Sequence, residues 1–198
     1  MQILLLETVH EEAQSLLEAA AEPVIASALD AATVIAESSG CRAIITRGRG
    51  RIPAAVMEAT PELRCVARCG VGLDNIDVEA ASRRGVAVVH APDSCTQSVA
   101  EHALALIFAL SRQLAQLDRA VQEDHWAVRD RFRGLELAGK TLGIVGLGRI
   151  GRRTAELAQA VGMKVVTWSP HSRDDRFPAL ALDELLRLSD VVSLHLAL

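Results

Sequence analysis

Thr141-Leu142-Gly143-Ile144-Val145-Gly146-Leu147-Gly148-Arg149-Ile150-Gly151 decides how this 198-residue chain reads. A short apolar strand runs into a G-x-G-x-x-G turn, and a helix-forming stretch follows. That order builds a seat for the pyrophosphate of a dinucleotide. Gly146 permits the tight turn, Gly148 lets the backbone approach the phosphates with no Cβ in the way, and Gly151 lets the helix pack closely on the strand. The first amides of the helix, around Arg149 and Ile150, point at the anion, and the helix dipole adds to the attraction. The same glycines without those flanks would make only a turn; here both flanks are present.

Downstream of the turn the pattern continues. Residues 163–168 read as a second strand, residues 179–181 as a short third, and Asp183 as the cap of a helix ending near Leu188. Residues 190–196 form a fourth strand, and the sequence stops at Leu198. A doubly wound dinucleotide domain has six strands in two halves, so only the first half and one further strand are here. A sequence stopping on an apolar central strand leaves its sheet neighbours unmade. Residues 98–198 therefore read as an incomplete Rossmann domain, and the whole as a fragment of a longer protein or the product of a truncated gene.

Upstream, strand and helix alternate. Residues 3–6, 24–25, 43–46, 63–69 and 86–90 read as five strands. Thr8-Val9-His10-Glu11 has the form of a capping box for a helix to about Ala20, and helices near 31–37 and 54–59 follow, the latter with Pro53 at its start. Asp77 caps a further helix that Gly85 ends. Strands separated by helices imply a parallel, doubly wound sheet, so residues 1–97 are expected to form a flavodoxin-like α/β domain. Ser98-Val99-Ala100-Glu101 then reads as a second capping box opening one long helix, with an apolar stripe at Val99, Leu106, Ile107, Leu110, Leu114 and Leu117. Capping explains Glu101 more simply than catalysis. Residues 124–137 are polar and irregular, as suits a surface arm or a contact with a second subunit.

Composition narrows the classes. Half of the residues are hydrophobic, only 3% are aromatic and Tyr is absent, so Ala, Leu and Val do the packing, as suits buried parallel strands. The net charge of −4, with no basic face interleaved with aromatics, argues against nucleic acid as a partner. The longest apolar run, residues 103–110, is too short to span a membrane. Residues 1–6 lack a basic flank and stop at Glu7, so they read as a strand and not a signal peptide. Cys41, Cys65, Cys69 and Cys95 show no C-x-x-C spacing and read as small buried hydrophobes of a reducing cytoplasm, with no metal site or disulfide.

The order of these pieces resembles the D-isomer-specific 2-hydroxyacid dehydrogenases over nearly the whole chain. The most specific stretches are Arg68-Cys69-Gly70-Val71-Gly72-Leu73-Asp74-Asn75-Ile76-Asp77, Ser98-Val99-Ala100-Glu101, residues 137–151, and Ser189-Asp190-Val191-Val192-Ser193-Leu194-His195-Leu196. The resemblance implies reversible hydride transfer between NAD or NADP and a 2-hydroxy or 2-oxo acid, the cofactor carrying the hydride. It also implies a homodimer formed through the nucleotide-binding domain. The family's catalytic Arg, Glu and His match no position here; none of His10, His90, His102, His125, His171 or His195 stands at the catalytic place. No catalytic residue is therefore expected in this chain, nor useful turnover by it alone.

What the resemblance does carry over is the front of the site. The turn Gly70-Val71-Gly72 matches the substrate-carboxylate loop, where backbone amides bind an anion. Arg47 matches a substrate-binding arginine of the phosphoglycerate-oxidising members, and Arg68 another; a solvated basic loop at Arg47, Arg49 and Arg51 is the simpler alternative. Thr96 matches a cofactor-contacting hydroxyl. Leu196 and Ala197 match the loop on the nicotinamide side, with Ala197 in place of the usual Pro.

Cofactor choice has its own residues. NAD sites usually place an acid at the end of the second strand, on the ribose 2′-hydroxyl. Here Ser169 holds that place and His171 and Arg173 follow, which favours NADP or dual use, unless Asp174 or Asp175 swings in and restores an NAD preference. A reading of another class is a non-catalytic cofactor-binding or dimerisation module, corepressor-like or a remnant; a remnant with an open sheet edge would aggregate.

Overall fold

Ile3, Leu4, Leu5 and Leu6 are all buried, and a run of apolar residues buried on both faces is what the centre of a parallel sheet requires. A computed structural model describes residues 1–196 and divides the chain into two compact units, Met1–Cys95 and a second beginning at Thr96. The division precedes Thr96 because Thr96 and Gln97 already belong to a helix.

In the first unit β1 (Gln2–Leu5), β2 (Glu22–Ile25), β3 (Ala43–Thr46), β4 (Cys65–Arg68) and β5 (Ala87–His90) form one sheet in the order β2-β1-β3-β4-β5. Every pairing is parallel, and the order is that of flavodoxin-like folds. Helices α1 (Glu11–Glu18), α2 (Ala31–Glu37), α3 (Ala54–Ala59) and α4 (Val78–Arg83) connect the strands. The main core gathers Leu4, Val34, Ile44, Ile52, Val56, Met57 and Val66, each inaccessible to solvent. The chain reverses its direction of winding between β1 and β3, so the loops after those two strands, at Glu7 and Arg47, open at a topological switch point.

The second unit runs α5 (Thr96–Ser111), α6 (Leu114–Gln122), a 3-10 turn at Trp126–Asp130, then β6 (Thr141–Val145), α7 (Arg149–Ala160), β7 (Lys164–Trp168), α8 (Leu182–Leu188) and β8 (Val191–Leu194). Its sheet is parallel in the order β7-β6-β8, with a single bridge from Thr167 to Ala179 on the outer side of β7. That is the arrangement of the first half of a Rossmann sheet plus the strand across its switch point. Leu142 and Ile144 are inaccessible, each stabilising the fold by about 1.5–3 kcal/mol through burial. The buried stripe of α7 is Gly151, Thr154, Ala155 and Ala158, small residues that bring the helix close to β6.

Several local expectations are corrected. Helix α1 is capped by His10, whose Nδ1 accepts from Glu12 N at 3.4 Å, and not by Thr8; the Thr8 carbonyl instead accepts from Arg47. Helix α5 starts at Thr96, ahead of the expected capping box at Ser98, and Glu101 accepts from the Gln97 side chain one turn earlier. The long helix is broken at Gln113, which takes a left-handed conformation with φ of 51°. The Gln113 side chain then donates to Arg133 O, and Leu135 N donates to Ser111 O, so contacts with the returning arm override the helical pattern. The expected third strand near 179–181 is reduced to the Ala179 bridge. Asp183 lies in the first turn of α8, where its charge complements the helix dipole, while Ala181 holds the cap position.

Candidate active site

The two candidate binding surfaces lie on different units, and each is built by strand ends. In the second unit β6 delivers the chain to Gly146, whose φ of 101° is a left-handed conformation open to glycine. A Cβ on Gly146 would stand 2.5 Å from His195 O, and one on Gly151 would overlap the Gly146 carbonyl oxygen. Gly148 is different: it caps α7 in an extended conformation with no side-chain hydrogen bond, and a Cβ there would meet nothing within 4 Å. The first intrahelical bond runs from Arg152 N to Gly148 O, so the leading amides around Arg149 and Ile150 stand at the N-terminus of a twelve-residue helix. Leu196 lies against the same turn, its Cδ2 3.0 Å from where a Gly146 Cβ would be.

These residues fit a dinucleotide. The space above Gly148 is a cradle that a side chain would fill. Thr96 Oγ1 is buried without a hydrogen-bond partner among the described residues. At the end of β7, Trp168, Ser169, Ser172, Arg173, Ala179, Leu180 and Ala181 line a cleft of about 340 Å³. Ser169 Oγ accepts from Ser172 N at 3.3 Å, which orders the loop and leaves the hydroxyl proton to donate. Ala197 lies outside the described residues.

Asp174 is engaged by two arginines. Its carboxylate takes a two-pronged bond from Arg176, Nε to Oδ1 at 2.9 Å and Nη2 to Oδ2 at 2.7 Å, and Arg152 Nε lies 2.9 Å from Oδ2. The Arg176 guanidinium holds this carboxyl well below the usual carboxylate range. Glu156 extends the cluster by bridging Arg153 and Arg176. Sequence reasoning missed Ser172, Arg152 and Arg176, because nothing in a one-dimensional pattern joins residue 152 to residue 174.

His195 continues the pairing of β8 with β6 through its amide to Val145 O, and its Nε2 lies 2.9 Å from Ser193 Oγ. Burial pushes its imidazole below the usual 6.5. A folded-state pKa below the unfolded one means that the unfolded chain binds more protons in acid. Stability is therefore expected to be complete above about pH 6.5 and to fall as the pH drops below it. Urea unfolding of wild type and H195Q at about pH 7 and pH 5.5 checks this, the variant losing less between the two.

In the first unit the substrate-side candidates are brought together around β3 and β4. Arg47 is exposed, donates from Nη1 to Thr8 O at 3.1 Å, and lines a cleft of about 350 Å³ with Val9, His10, Ala13 and Cys69. Arg68 folds back over its own turn, Nη1 donating to Cys69 O at 3.1 Å, with its Nε buried and unpartnered. Its guanidinium fills the space beside Gly48 and Gly70 that side chains there would need. One expectation about the 70–72 turn is corrected. The Gly70 amide is committed to the Arg68 carbonyl at 2.8 Å, which leaves Val71 and Gly72 as the candidate amide donors. His90 Nδ1 lies 2.9 Å from the Val71 carbonyl oxygen.

Two residues that the sequence reading passed over organise this surface. Glu7 accepts from the amides of Arg47 (2.8 Å), Gly48 (3.1 Å), Arg49 (2.6 Å) and Gly50 (3.2 Å). Burial opposes its ionisation, but the amides of Arg47, Arg49 and Gly50 outweigh it and hold the carboxyl below its ordinary value. Asn75 Nδ2 donates to Gly50 O at 2.7 Å and to Thr46 Oγ1 at 3.2 Å, and Ile52 N donates to Asn75 O, so the 46–52 and 70–76 loops are sewn together.

Residues 3–187 match the family model of the D-isomer specific 2-hydroxyacid dehydrogenase catalytic domain. The chain is 37% identical over 201 residues to D-3-phosphoglycerate dehydrogenase of Archaeoglobus fulgidus, covering 98% of this chain and 38% of that protein. It superposes on D-lactate dehydrogenase from Aquifex aeolicus complexed with NAD and lactic acid with a TM-score of 0.86 at 28% identity, covering 99% of this chain and 60% of that one. It superposes on an acyclic imino acid reductase, Bsp5, in complex with NADPH and D-Arg with a TM-score of 0.87 at 26% identity, covering 99% and 65%. The chain spans under two fifths of the length of the archaeal relative. With the glycine turn, the switch-point loops and the matched family model taken together, the chain belongs to the D-isomer specific 2-hydroxyacid dehydrogenase family.

Proposed function

We propose that this chain supplies the dinucleotide seat and the anion-receiving front of an oxidoreductase acting on a 2-hydroxy or 2-oxo acid. The observation that carries the reading is the unfilled space at Gly148 where α7 begins, flanked by glycines whose side-chain space is already filled. When bound, the nicotinamide supplies the hydride chemistry. The amides around Arg149 and Ile150 hold the pyrophosphate, and Leu196 lies beside the turn. On the substrate side Arg47, Arg68 and the Val71 and Gly72 amides attract and orient the acid's anionic groups. Proton exchange is assigned to none of this chain's histidines, because none stands at the place that the resemblance gives to the catalytic histidine.

The cofactor reading leans to NADP or dual use. Ser169 and Arg173 share a cleft, and Asp174 is engaged by Arg176, so a 2′-phosphate meets a cation and hydroxyls there and no free carboxylate of Asp174. Trp168, which lines the same cleft, reports on binding by fluorescence. NADPH is expected to bind at least as tightly as NADH, and R173A to weaken NADPH about tenfold with little effect on NADH, equivalent to about 1.4 kcal/mol. A hundredfold preference of wild type for NADH overturns the NADP reading, and failure of both dinucleotides to bind a folded chain overturns the seat itself.

A second reading has its own support. Leu106, Leu110, Leu114, Val121 and Trp126, on α5, α6 and the 3-10 turn, are all at least half exposed. Apolar residues so displayed favour self-association through this unit. Light scattering distinguishes the cases: a dimer without dinucleotide binding marks a dimerisation module. A reducing, cytoplasmic setting suits the free cysteines Cys41, Cys65, Cys69 and Cys95, and no helix among the described residues is long and apolar enough to cross a membrane.

A further inference from the structure

We propose that Glu7 is a positioning residue for substrate-anion recognition: its carboxylate is a resident anion that fills the amide nest of residues 47–50 and thereby aims the Arg47 guanidinium. The inference rests on the reading of Arg47 as a substrate contact. Both carboxylate oxygens are used. Oε1 receives Gly48 N, Arg49 N and Gly50 N, while Oε2 receives Arg47 N and lies 3.1 Å from the Thr46 hydroxyl. Successive amides converging on one anion form the same kind of concavity that elsewhere takes a phosphate. Here the protein supplies the anion itself, from just past the end of strand β1. The nest is therefore closed to a substrate, and an incoming anion is left to the guanidinium.

The clasp on Arg47 has two ends. Its amide donates to Glu7 and its Nη1 donates to the carbonyl of Thr8, the next residue along. The side chain is thus laid beside the cleft it lines with His10 and Cys69. Asn75 holds the far end of the same loop through Gly50 O, and Gly48 keeps a φ of 138° within it, so the loop has little freedom once Glu7 is in place.

Electrostatics and positioning predict opposite signs, which makes the inference testable. Glu7→Gln removes a negative charge beside Arg47, so charge alone predicts tighter binding of an anion. Positioning predicts the reverse. The Gln amide nitrogen cannot accept from Arg47 N, and part of the nest loses its acceptor.

The test titrates the folded chain with D-3-phosphoglycerate, followed by backbone amide shifts in two-dimensional NMR, for wild type, E7Q, E7A and R47A. Weakening of about tenfold or more is expected in E7A, a smaller weakening in E7Q, and amide shift changes in both spread over residues 47–50 before ligand is added. Binding unchanged or tightened in E7Q and E7A, while R47A abolishes it, overturns the inference and leaves the Arg47 reading intact. Binding unaffected by R47A overturns the Arg47 reading itself. If E7A does not fold, E7Q carries the decision, since it keeps the side chain's size.

Discussion

Gly148→Val is expected to remove NADH and NADPH binding by at least about a hundredfold, equal to about 2.7 kcal/mol, with little loss of fold stability. The separation follows from the backbone. Gly148 sits at φ −75° and ψ −166°, a conformation valine adopts, and a Cβ there meets no neighbour within 4 Å. The isopropyl group then stands in the space that the phosphates need against the α7 amides. Gly151→Ala is the counterpart: its new methyl overlaps the Gly146 carbonyl oxygen, so it costs about 1–3 kcal/mol of stability as well as affinity. Thermal melts paired with Trp168 fluorescence titrations check both variants. A Gly148→Val chain that binds like wild type would put the dinucleotide elsewhere.

The second large effect concerns the 2′ position. Ser169→Asp is expected to shift the ratio of NADPH to NADH affinity towards NADH by about a hundredfold. A carboxylate at the end of β7 accepts from a ribose 2′-hydroxyl and repels a 2′-phosphate. The native chain has no substitute for it in Asp174, which Arg176 grips at 2.7 and 2.9 Å. Competition titrations of the two dinucleotides on wild type and variant measure the ratio directly. An unchanged ratio would show that the ribose does not lie against Ser169.

The parts legible in the sequence were those that physical chemistry writes locally. An apolar run such as residues 141–145, fenced by Gly146, has few options besides a buried strand, and Asp77 caps α4 through Ala80 N as its position suggests. The caps at Thr8 and Ser98 were misread because a capping box is a common local pattern that tertiary contacts outvote. The break at Gln113 carries no Gly or Pro to announce it; it exists because the 133–135 segment returns to bond Gln113 and Ser111. Glu7 was read only as the residue that ends an apolar run. Its role appears once β1 and β3 pair and bring it beside amides 40 and more positions away. The same holds for Arg152 and Asp174, joined only after β7 has returned alongside β6.

The 146–151 turn is proposed to seat a dinucleotide pyrophosphate. Amide shift mapping of the isotope-labelled wild-type chain titrated with NADPH tests it most directly. Saturable binding at one site is expected, with the largest perturbations at the amides of Gly148, Arg149, Ile150 and Gly151 and smaller ones at Ser169 and Arg173. Saturable binding that leaves the Arg149 and Ile150 amides unmoved, or no binding by a chain shown to be folded, contradicts it.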